Sequence, residues 1–181
     1  MIYIIKGRQR VGKTTLSTGL CMYLVQVKGY KLKDLVSNCH FYLPDGSELP
    51  EYQYLPNSSM KAYVRDMVKS GARNKIIHID EIDRVFSHRF WSNKAQAEAL
   101  LGLWQDEKLG DQIIGTAHIG KSIDNLIREC MQIEIIALKR DVKRDIMTYG
   151  FINILNRERG YGYMNNLALV QRCFDTREAI V

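Results

Sequence analysis

A phosphate-binding pattern, GxxxxGK[ST], lies close to the amino terminus of the chain. The residues that match it, together with the residue that follows, are Gly7, Arg8, Gln9, Arg10, Val11, Gly12, Lys13, Thr14 and Thr15. Gly7 and Gly12 let a loop wrap phosphate groups without clashes from Cβ atoms, and Lys13 can reach the outer phosphate oxygens. The Thr14 hydroxyl is placed to ligate Mg²⁺. This segment is therefore predicted to bind a nucleoside triphosphate together with its magnesium ion.

Such a loop needs a strand in front of it and a helix behind it, and the sequence provides both. Residues 1–5 are an apolar run that predicts a strand. In residues 15–27 the apolar side chains recur at helical spacing, and Gly29 is a natural helix stop. The first turn of this helix would present free N–H groups and the positive end of its dipole to phosphate. Because the three elements follow in the required order, a chance match to the pattern is disfavoured.

Two adjacent carboxylates, Asp80 and Glu81, come directly after a second apolar run, residues 75–79. A strand that only filled a core would not end in two charges. In phosphate-loop ATPases an Asp at this position holds the water shell of Mg²⁺, and the following Glu polarises the attacking water. We assign these roles to Asp80 and Glu81, the alternative being an acidic pair that caps a helix. Asp83 is interpreted as a surface or structural carboxylate.

Residues 111–118 predict a third strand, which ends in polar residues at the edge where open α/β sheets bind ligands. Thr116 and His118 are candidates to sense the γ-phosphate, and an ordinary polar strand end is the alternative for His118. Residues 122–130 predict a short helix with an apolar inner face and Arg128 on its outer face. Arg128 is thus free to reach a neighbouring molecule.

The other predicted elements complete a pattern in which strands and helices alternate and strands dominate the carboxyl-terminal part. Predicted helices cover residues 57–70 and 92–110, and predicted strands cover residues 35–43, 52–55, 132–138, 146–155 and 161–170. We therefore predict an α/β fold with a central, mostly parallel sheet flanked by helices and a β-rich carboxyl-terminal part. With 181 residues, 46% of them hydrophobic, residues 1–181 are expected to form a single domain.

The formal net charge of +6 arises in one part of the chain. The residues that account for it are Lys6, Arg8, Arg10, Lys13, Lys28, Lys31 and Lys33, set against Asp34. We interpret this cluster first as the complement of a bound triphosphate, so it supports nucleic-acid binding only weakly. The cysteines are widely spaced, and neither a secretory signal nor a membrane-spanning run is visible. These features favour a soluble intracellular protein, not secreted, with buried free thiols.

The order of these blocks resembles the FtsK/HerA superfamily of RecA-like P-loop NTPases, and most closely its small viral and phage members that package genomic DNA. The blocks that carry the resemblance are GRQRVGKTT, VSNCHFYLP, HIDEIDRVFSHRFWSN, the helix ending LWQDEK, IIGTAHIGKSIDNLIREC and FDTRE. The resemblance implies that ATP is hydrolysed with Mg²⁺ at subunit interfaces of a homo-oligomeric ring, a hexamer or a pentamer. It further implies double-stranded DNA held through its backbone, a viral capsid vertex as a partner, and a location in the host cytoplasm or the virion.

The same resemblance suggests roles for further residues and also shows departures from the family. Arg128 matches the arginine finger that such proteins insert into a neighbouring subunit's site, with Arg89 as the reserve candidate. His118 stands where the family usually has a Gln sensor, and Leu126 stands where it often has an additional Arg. The identity of the sensor and the number of trans-acting arginines therefore differ from the usual pattern.

Two other functions stay open from the sequence. A zonula occludens toxin-like assembly ATPase extrudes filamentous phage, but such proteins generally carry a transmembrane segment, and none is visible here. A small-molecule kinase also begins with GxxxxGK[ST], but it usually lacks an activating Glu after the strand-end Asp. The basic turns near residues 139–145 and 157–159 are interpreted either as channel-lining segments that touch DNA or as solvated hairpin surfaces, and we favour the second interpretation.

Overall fold

A computed structural model describes residues 1–43, 45–70, 74–86, 110–119 and 125–172 of the chain. The strands are β1 (Ile2–Gly7), β2 (Leu35–Ser37), β3 (Gln53–Tyr54), β4 (Ile76–Ile79), β5 (Gln112–His118), β6 (Ile133–Asp141), β7 (Ile146–Asn153) and β8 (Arg159–Asn165). The helices are α1 (Lys13–Lys28), α2 (Asn57–Ser70), α3 (Ile82–Val85), α4 (Asn125–Cys130) and α5 (Leu167–Arg172), with a 3-10 turn at Leu32–Asp34.

These strands form one sheet, in the order β3-β2-β4-β5-β1-β6-β7-β8. The six strands from β3 to β6 in this order pair in parallel, whereas the pairs β6–β7 and β7–β8 are antiparallel. β1 lies in the interior of the sheet because its side chains are apolar on both faces, with Ile2, Ile4 and Ile5 at most 2% exposed. The prediction of a mostly parallel sheet with a β-rich carboxyl-terminal part is confirmed.

Helices cover both faces of the parallel part of the sheet. On one face, α1 packs Leu16 and Leu24 into a core with strand side chains. On the other face, α2, α3 and α4 bury Met60, Ile82 and Ile127 in a second core. Each large apolar side chain buried in this way stabilises the fold by roughly 1.5–3 kcal/mol. The two cores therefore fix the helix termini relative to the strand ends.

The sheet register brings three predicted segments to one edge. In the pairing of β1 with β5, Gly7 lies beside His118. In the pairing of β4 with β5, Ile79 lies beside Gly115, so Asp80 and Glu81 follow β4 at the same edge. This is the carboxyl edge of the parallel strands, where open α/β sheets bind their ligands.

The strand predicted over residues 35–43 is wrong after residue 37. The side-chain amide of Asn38 donates to the backbone carbonyl of Asp80 at 2.8 Å, and its oxygen accepts from the Asp80 N–H at 2.7 Å. A polar side chain that bonds neighbouring backbone in this way competes with the strand ladder. The chain consequently turns at Asn38, and β2 has only three residues.

The strand predicted over residues 161–170 is also wrong at its end. β8 stops at Asn165, and Asn166 adopts a left-handed φ of 60°. The N–H of Ala168 in the following helix donates to the Asp145 carboxylate at 2.8 Å, which supplies a partner for the first turn of α5. Apolar spacing alone does not separate a strand from a short helix of this length.

Several predictions concern residues outside the described ranges. They are the helix at residues 92–110, Arg89, the first turn of the helix expected from Ser122, and the closing FDTRE block. Among the described cysteines, Cys21 and Cys39 are buried, as predicted, whereas Cys130 is only half-buried. None of the helices in the described ranges has the length and apolar character needed to span a membrane.

Candidate nucleotide-binding site

The phosphate-binding pattern forms the loop that joins β1 to α1. Gly7 is the last residue of β1, and Lys13 is the first residue of α1. Gly12 adopts φ 97° and ψ 32°, a left-handed conformation that suits glycine, and its carbonyl accepts from the Leu16 N–H at 3.0 Å. The exposed residues of the loop are Arg8, Gln9 and Arg10. The strand, loop and helix thus follow one another as the sequence predicts.

The β6–β7 hairpin supports this loop from behind. A Cβ atom added at Gly12 would lie 2.3 Å from Met147 Cε and 3.9 Å from Arg140 Cδ, and one added at Gly7 would lie 3.2 Å from Ala137 Cβ. No local sequence pattern predicts this contact, because it depends on the pairing of β1 with β6.

Arg140 belongs to β6 and is half-buried there, whereas Lys139, Lys143 and Arg144 around the turn near residues 139–145 are exposed. The interpretation of this turn as a solvated surface or as a DNA contact stays a prediction.

We expect Gly12→Ala to weaken ATP binding about tenfold or more. The added methyl would lie 2.3 Å from Met147 Cε, so the Met147 side chain would have to leave the loop that it supports, and the left-handed backbone at residue 12 adds strain. Gly29→Ala is the matched control, because Gly29 has a φ of 78° but no atom within 4 Å of its added Cβ. Titration with a fluorescent ATP analogue checks the prediction. Equal affinities of the two variants would contradict the steric argument.

Lys13 directs its ammonium group into the loop. The residue is only 8% exposed, and its Nζ donates to the backbone carbonyl of Arg8 at 3.2 Å. Taking an ammonium group out of water is costly unless polar or anionic partners surround it. The loop therefore holds a cation at the place where phosphate oxygens are expected, which suits a polyanionic ligand.

Asp80 lies just after β4 and is 6% exposed. Its carboxylate accepts from Thr14 Oγ1, at 3.2 Å and 3.3 Å to its two oxygens, and also from Thr116 Oγ1. Thr14 and Asp80 are therefore brought together, as the sequence suggests for residues that share a magnesium ion. Thr116, a candidate phosphate sensor in the sequence, contacts the carboxylate of Asp80.

Glu81 adopts a left-handed φ of 52° before α3, and its N–H donates to Thr116 Oγ1 at 2.9 Å. Its carboxylate lies 2.6 Å from Arg84 Nε and 4.0 Å from His118 Nε2. The other ring nitrogen of His118 is 3.9 Å from Asp83, whose side chain is only 4% exposed. Asp83 is therefore a structural rather than a surface carboxylate. Glu81 and His118 face each other across the ends of β4 and β5.

A buried polar chain behind the loop was not foreseen from the sequence. His78, in the middle of β4, is fully buried, with Nε2 2.8 Å from Ser17 Oγ and Nδ1 2.8 Å from Ser37 Oγ. Ser17 Oγ also donates to the Thr14 carbonyl at 2.9 Å, so Nε2 of His78 is the nitrogen that carries the proton. Burial lowers the pKa of His78 to about 4, and the ring is neutral at pH 7. This chain ties α1 to β4 beneath Thr14.

Part of the basic cluster lies far from the loop. Lys28 ends α1, and a helix of 16 residues places it about 24 Å from the loop. Lys31 and Lys33 follow it, and the three lysines line an open cleft of about 430 Å³. Lys6 is paired with Glu134 at 2.9 Å. The interpretation of the whole cluster as the complement of a triphosphate is therefore wrong for these lysines.

Arg128 lies on the exposed side of α4. The neighbouring Ile127 is 2% exposed in the core beneath the helix, and this packing holds Arg128 outward. A residue that acts on another chain must be exposed, and Arg128 meets this condition. Its role as an arginine finger stays a prediction, and the reserve candidate, Arg89, lies outside the described residues.

The geometry fits a nucleoside triphosphate and Mg²⁺. The loop at the start of α1 offers backbone N–H groups and the positive end of a helix dipole, and Lys13 adds a charge. The Thr14 hydroxyl and the Asp80 carboxylate are hard oxygen donors, which Mg²⁺ takes together with phosphates and water. Glu81, the candidate base, follows Asp80 directly in the chain. The fold and the site together define a P-loop nucleoside triphosphatase.

Comparison with protein families gives the more particular assignment. The model of the ATPase family associated with various cellular activities (AAA) matches residues 3–138. The match includes the loop, the Asp80–Glu81 pair and β5. The chain therefore belongs to the AAA family, and it is an ATP-binding enzyme that hydrolyses ATP. No curated protein sequence matches the chain significantly.

Several solved structures share the fold. The N-terminal domain of zonular occludens toxin from Neisseria meningitidis is 16% identical with a TM-score of 0.64, covering 96% of this chain and 98% of the other. The genome packaging NTPase B204 of Sulfolobus turreted icosahedral virus 2, in complex with ATP-gammaS, is 12% identical with a TM-score of 0.58, covering 88% and 95%. The flagellar accessory protein FlaH from Methanocaldococcus jannaschii is 13% identical with a TM-score of 0.56, covering 84% and 77%. The P-loop fold implied by the FtsK/HerA resemblance is thus confirmed.

Proposed function

We propose that this ATPase is a ring-forming motor that translocates DNA and packages the genome of a virus or phage into a capsid. The observation that carries the proposal is the carboxyl edge of the sheet, where Lys13, Thr14, Asp80 and Glu81 lie together, with Arg128 exposed on α4. In this proposal a neighbouring subunit completes the site. The similarity in fold to a viral genome packaging NTPase supports DNA as the load.

In this mechanism each site residue has one task. Lys13 binds phosphate oxygens. Thr14 and Asp80 would hold Mg²⁺, which when bound would neutralise charge on the phosphates. A carboxylate oxygen of Glu81 takes the proton from the attacking water. His118, 4.0 Å from that carboxylate, is placed to respond to an occupied site. Thr116 keeps Asp80 and Glu81 in position through its hydroxyl.

The exposed position of Arg128 is the reason for proposing a ring of subunits. We propose a hexamer or pentamer in which Arg128 of one subunit reaches the phosphates bound by the next, so that hydrolysis depends on assembly. Double-stranded DNA would be held through backbone contacts, which carry no sequence information and suit translocation. A capsid vertex as the docking partner, and the host cytoplasm or the virion as the location, complete the proposal.

The second candidate is an assembly ATPase similar to zonular occludens toxin. It is favoured by one observation, the coverage of 96% of this chain and 98% of that toxin domain at a TM-score of 0.64. Such an ATPase would respond to a membrane-bound partner rather than to DNA. A small-molecule kinase is disfavoured, because Glu81 would activate water rather than a metabolite as the phosphate acceptor. Product analysis separates an ATPase from a kinase, since an ATPase releases phosphate without phosphorylating a metabolite.

Duplex DNA is expected to stimulate ATP hydrolysis, and the stimulation is expected to fall steeply as salt rises. A protein that makes several phosphate contacts loses roughly 10³–10⁵ in affinity between about 50 mM and 200 mM salt, because bound counterions are released. Phosphate release measured over this range, with and without DNA, checks the prediction. The Glu81→Gln variant supplies the background rate. Hydrolysis that is indifferent to DNA at every salt concentration would contradict the motor.

A further inference from the structure

The last strand of the sheet alternates between two environments. In β8, Arg159, Tyr161 and Tyr163 are exposed, and the two tyrosines are 77% and 69% exposed. The residues between them, Gly160 and Gly162, lie on the opposite face, which is the face that carries α1. Tyrosines exposed to this extent on a strand present their ring surfaces to solvent.

The two glycines hold the tyrosines outward. A Cβ added at Gly160 would lie 2.7 Å from the Phe151 ring, and one added at Gly162 would lie 2.4 Å from the Tyr149 ring. The rings of β7 therefore fill the space above the glycines on the inner face. A slip of one residue would turn every side chain of β8 to the other face and would drive the tyrosines into this packed layer. The outward position of Tyr161 and Tyr163 is therefore fixed by packing.

The outward face around these rings carries two cations and the exposed side chain of Leu138. Tyr161 pairs with Gly150, which has no side chain and would place a Cβ 3.7 Å from the Tyr161 ring. Tyr163 pairs with Thr148, which in turn pairs with the exposed Lys139 of β6. Directly paired residues share a face, so Lys139 and Arg159 stand on either side of the rings. We call Tyr161, Tyr163, Lys139 and Arg159 the tyrosine face.

Two of the described carboxylates near this face already have cationic partners: Glu134 is paired with Lys6 at 2.9 Å, and Asp141 lies 3.9 Å from Arg144. Glu158 is exposed in the turn before Arg159. Among the described residues, the two cations Lys139 and Arg159 therefore exceed this one remaining carboxylate. Two copies of a positive face repel each other, which argues against a self-complementary contact and favours a polyanion.

We propose that the tyrosine face binds single-stranded nucleic acid, with unpaired bases stacked on Tyr161 and Tyr163 and phosphates held by Lys139 and Arg159. Successive side chains on one face of a strand are about 6.6–6.8 Å apart, so the rings are separate platforms for two bases. A duplex hides the faces of its bases, and exposed rings therefore select unpaired nucleotides. The inference rests on the proposed function for nucleic acid as the ligand, and it adds a second contact, to unpaired nucleotides, that is separate from the double-stranded DNA proposed as the load.

The test is binding of labelled oligothymidylate, about 20 nucleotides long, to the full chain without ATP, followed by fluorescence anisotropy. Tyr161→Ala with Tyr163→Ala is expected to raise Kd by roughly tenfold or more per ring. The paired Phe substitutions keep the rings and are expected to keep the affinity. Tyr23→Ala is the matched control, because Tyr23 is a surface tyrosine, 46% exposed, on α1. Arg159→Ala should weaken binding and reduce the salt slope by about one phosphate contact.

Four outcomes would overturn the inference. They are an unchanged Kd in the double Ala variant, an equal loss with Phe, equal binding of the matching duplex, and a changed oligomeric state without a changed Kd. The last would identify the face as a subunit contact, and light scattering measures it. If oligonucleotide binding depends on the two rings but DNA does not change the rate of hydrolysis, the proposed motor is contradicted and the proposed role of the tyrosine face is supported. If DNA stimulates hydrolysis but loss of the rings leaves Kd unchanged, the role of the tyrosine face is contradicted and the motor is supported.

Discussion

Replacing Glu81 by Gln is expected to lower the rate of ATP hydrolysis by about 10²–10⁴-fold and to leave nucleotide affinity nearly unchanged. Of the two adjacent carboxylates, only that of Glu81 can take a proton from water, because the Asp80 carboxylate already accepts hydrogen bonds from Thr14 and Thr116. Gln keeps the size and polarity of the side chain but cannot accept that proton. Phosphate release under single-turnover conditions, combined with nucleotide titration, separates the two effects.

The fold should survive this change. The carboxylate of Glu81 is paired with Arg84, but Arg84 is 52% exposed, and an ion pair of that kind is worth about 1 kcal/mol or less. Glu51→Gln is a suitable control, because Glu51 is exposed and precedes β3, whereas Glu81 follows β4 at the carboxyl ends of the parallel strands. A Glu81→Gln variant that hydrolyses ATP at the parent rate would remove Glu81 from the role of base. A variant that no longer binds nucleotide would show that Glu81 shapes the site instead.

The phosphate loop and the acidic pair could be placed from the sequence because their signals are local. The loop is specified by glycines and a lysine within a few residues, and the flanking strand and helix have clear periods. Asp80 and Glu81 follow an apolar run directly. Since the carboxyl ends of parallel strands meet at one edge, knowing the order of strands is enough to bring these segments together.

The support behind the loop could not be predicted in this way. Met147 reaches Gly12 because β6 pairs with β1, and residues so far apart in sequence carry no common local pattern. The chain from Ser17 through His78 to Ser37 joins a helix to two strands, and each residue alone reads as an ordinary polar position. Burial and tertiary hydrogen bonds determine these roles, and a single sequence contains neither.

The clustering of basic residues in the sequence was also a misleading guide to the site, because it does not show where the elements lie in space. Lys28 is near Lys13 in sequence, yet α1 separates the two by its whole length. A helix converts closeness along the chain into distance in space, about 1.5 Å for each residue. Conversely, Arg140 is remote from the loop in sequence and lies against it in the structure. A cluster of basic residues in the sequence is therefore a poor guide to an electrostatic site until its elements are placed.

Arg128→Ala is expected to lower hydrolysis by the assembled protein by about 10³–10⁵-fold, because an arginine supplied across an interface stabilises charge on the phosphates as they separate. Arg128 is exposed, so its removal should change the free energy of unfolding by no more than about 0.5 kcal/mol. Steady-state phosphate release by a sample whose assembly is verified by light scattering measures the loss. An assembled variant with full activity would favour Arg89 or another residue as the finger.

Mixing two inactive variants distinguishes a residue that acts on a neighbour from one that acts within its own subunit. Arg128→Ala keeps an intact nucleotide site but supplies no finger, whereas Lys13→Ala supplies the finger but has a disabled loop. In an equal mixture with random assembly, about a quarter of the interfaces join an intact site to an intact finger. Activity should therefore rise from nearly zero to about a quarter of the parent value. If Arg128 served its own subunit, every subunit in the mixture would still lack either Lys13 or Arg128, and the mixture would stay as inactive as its components.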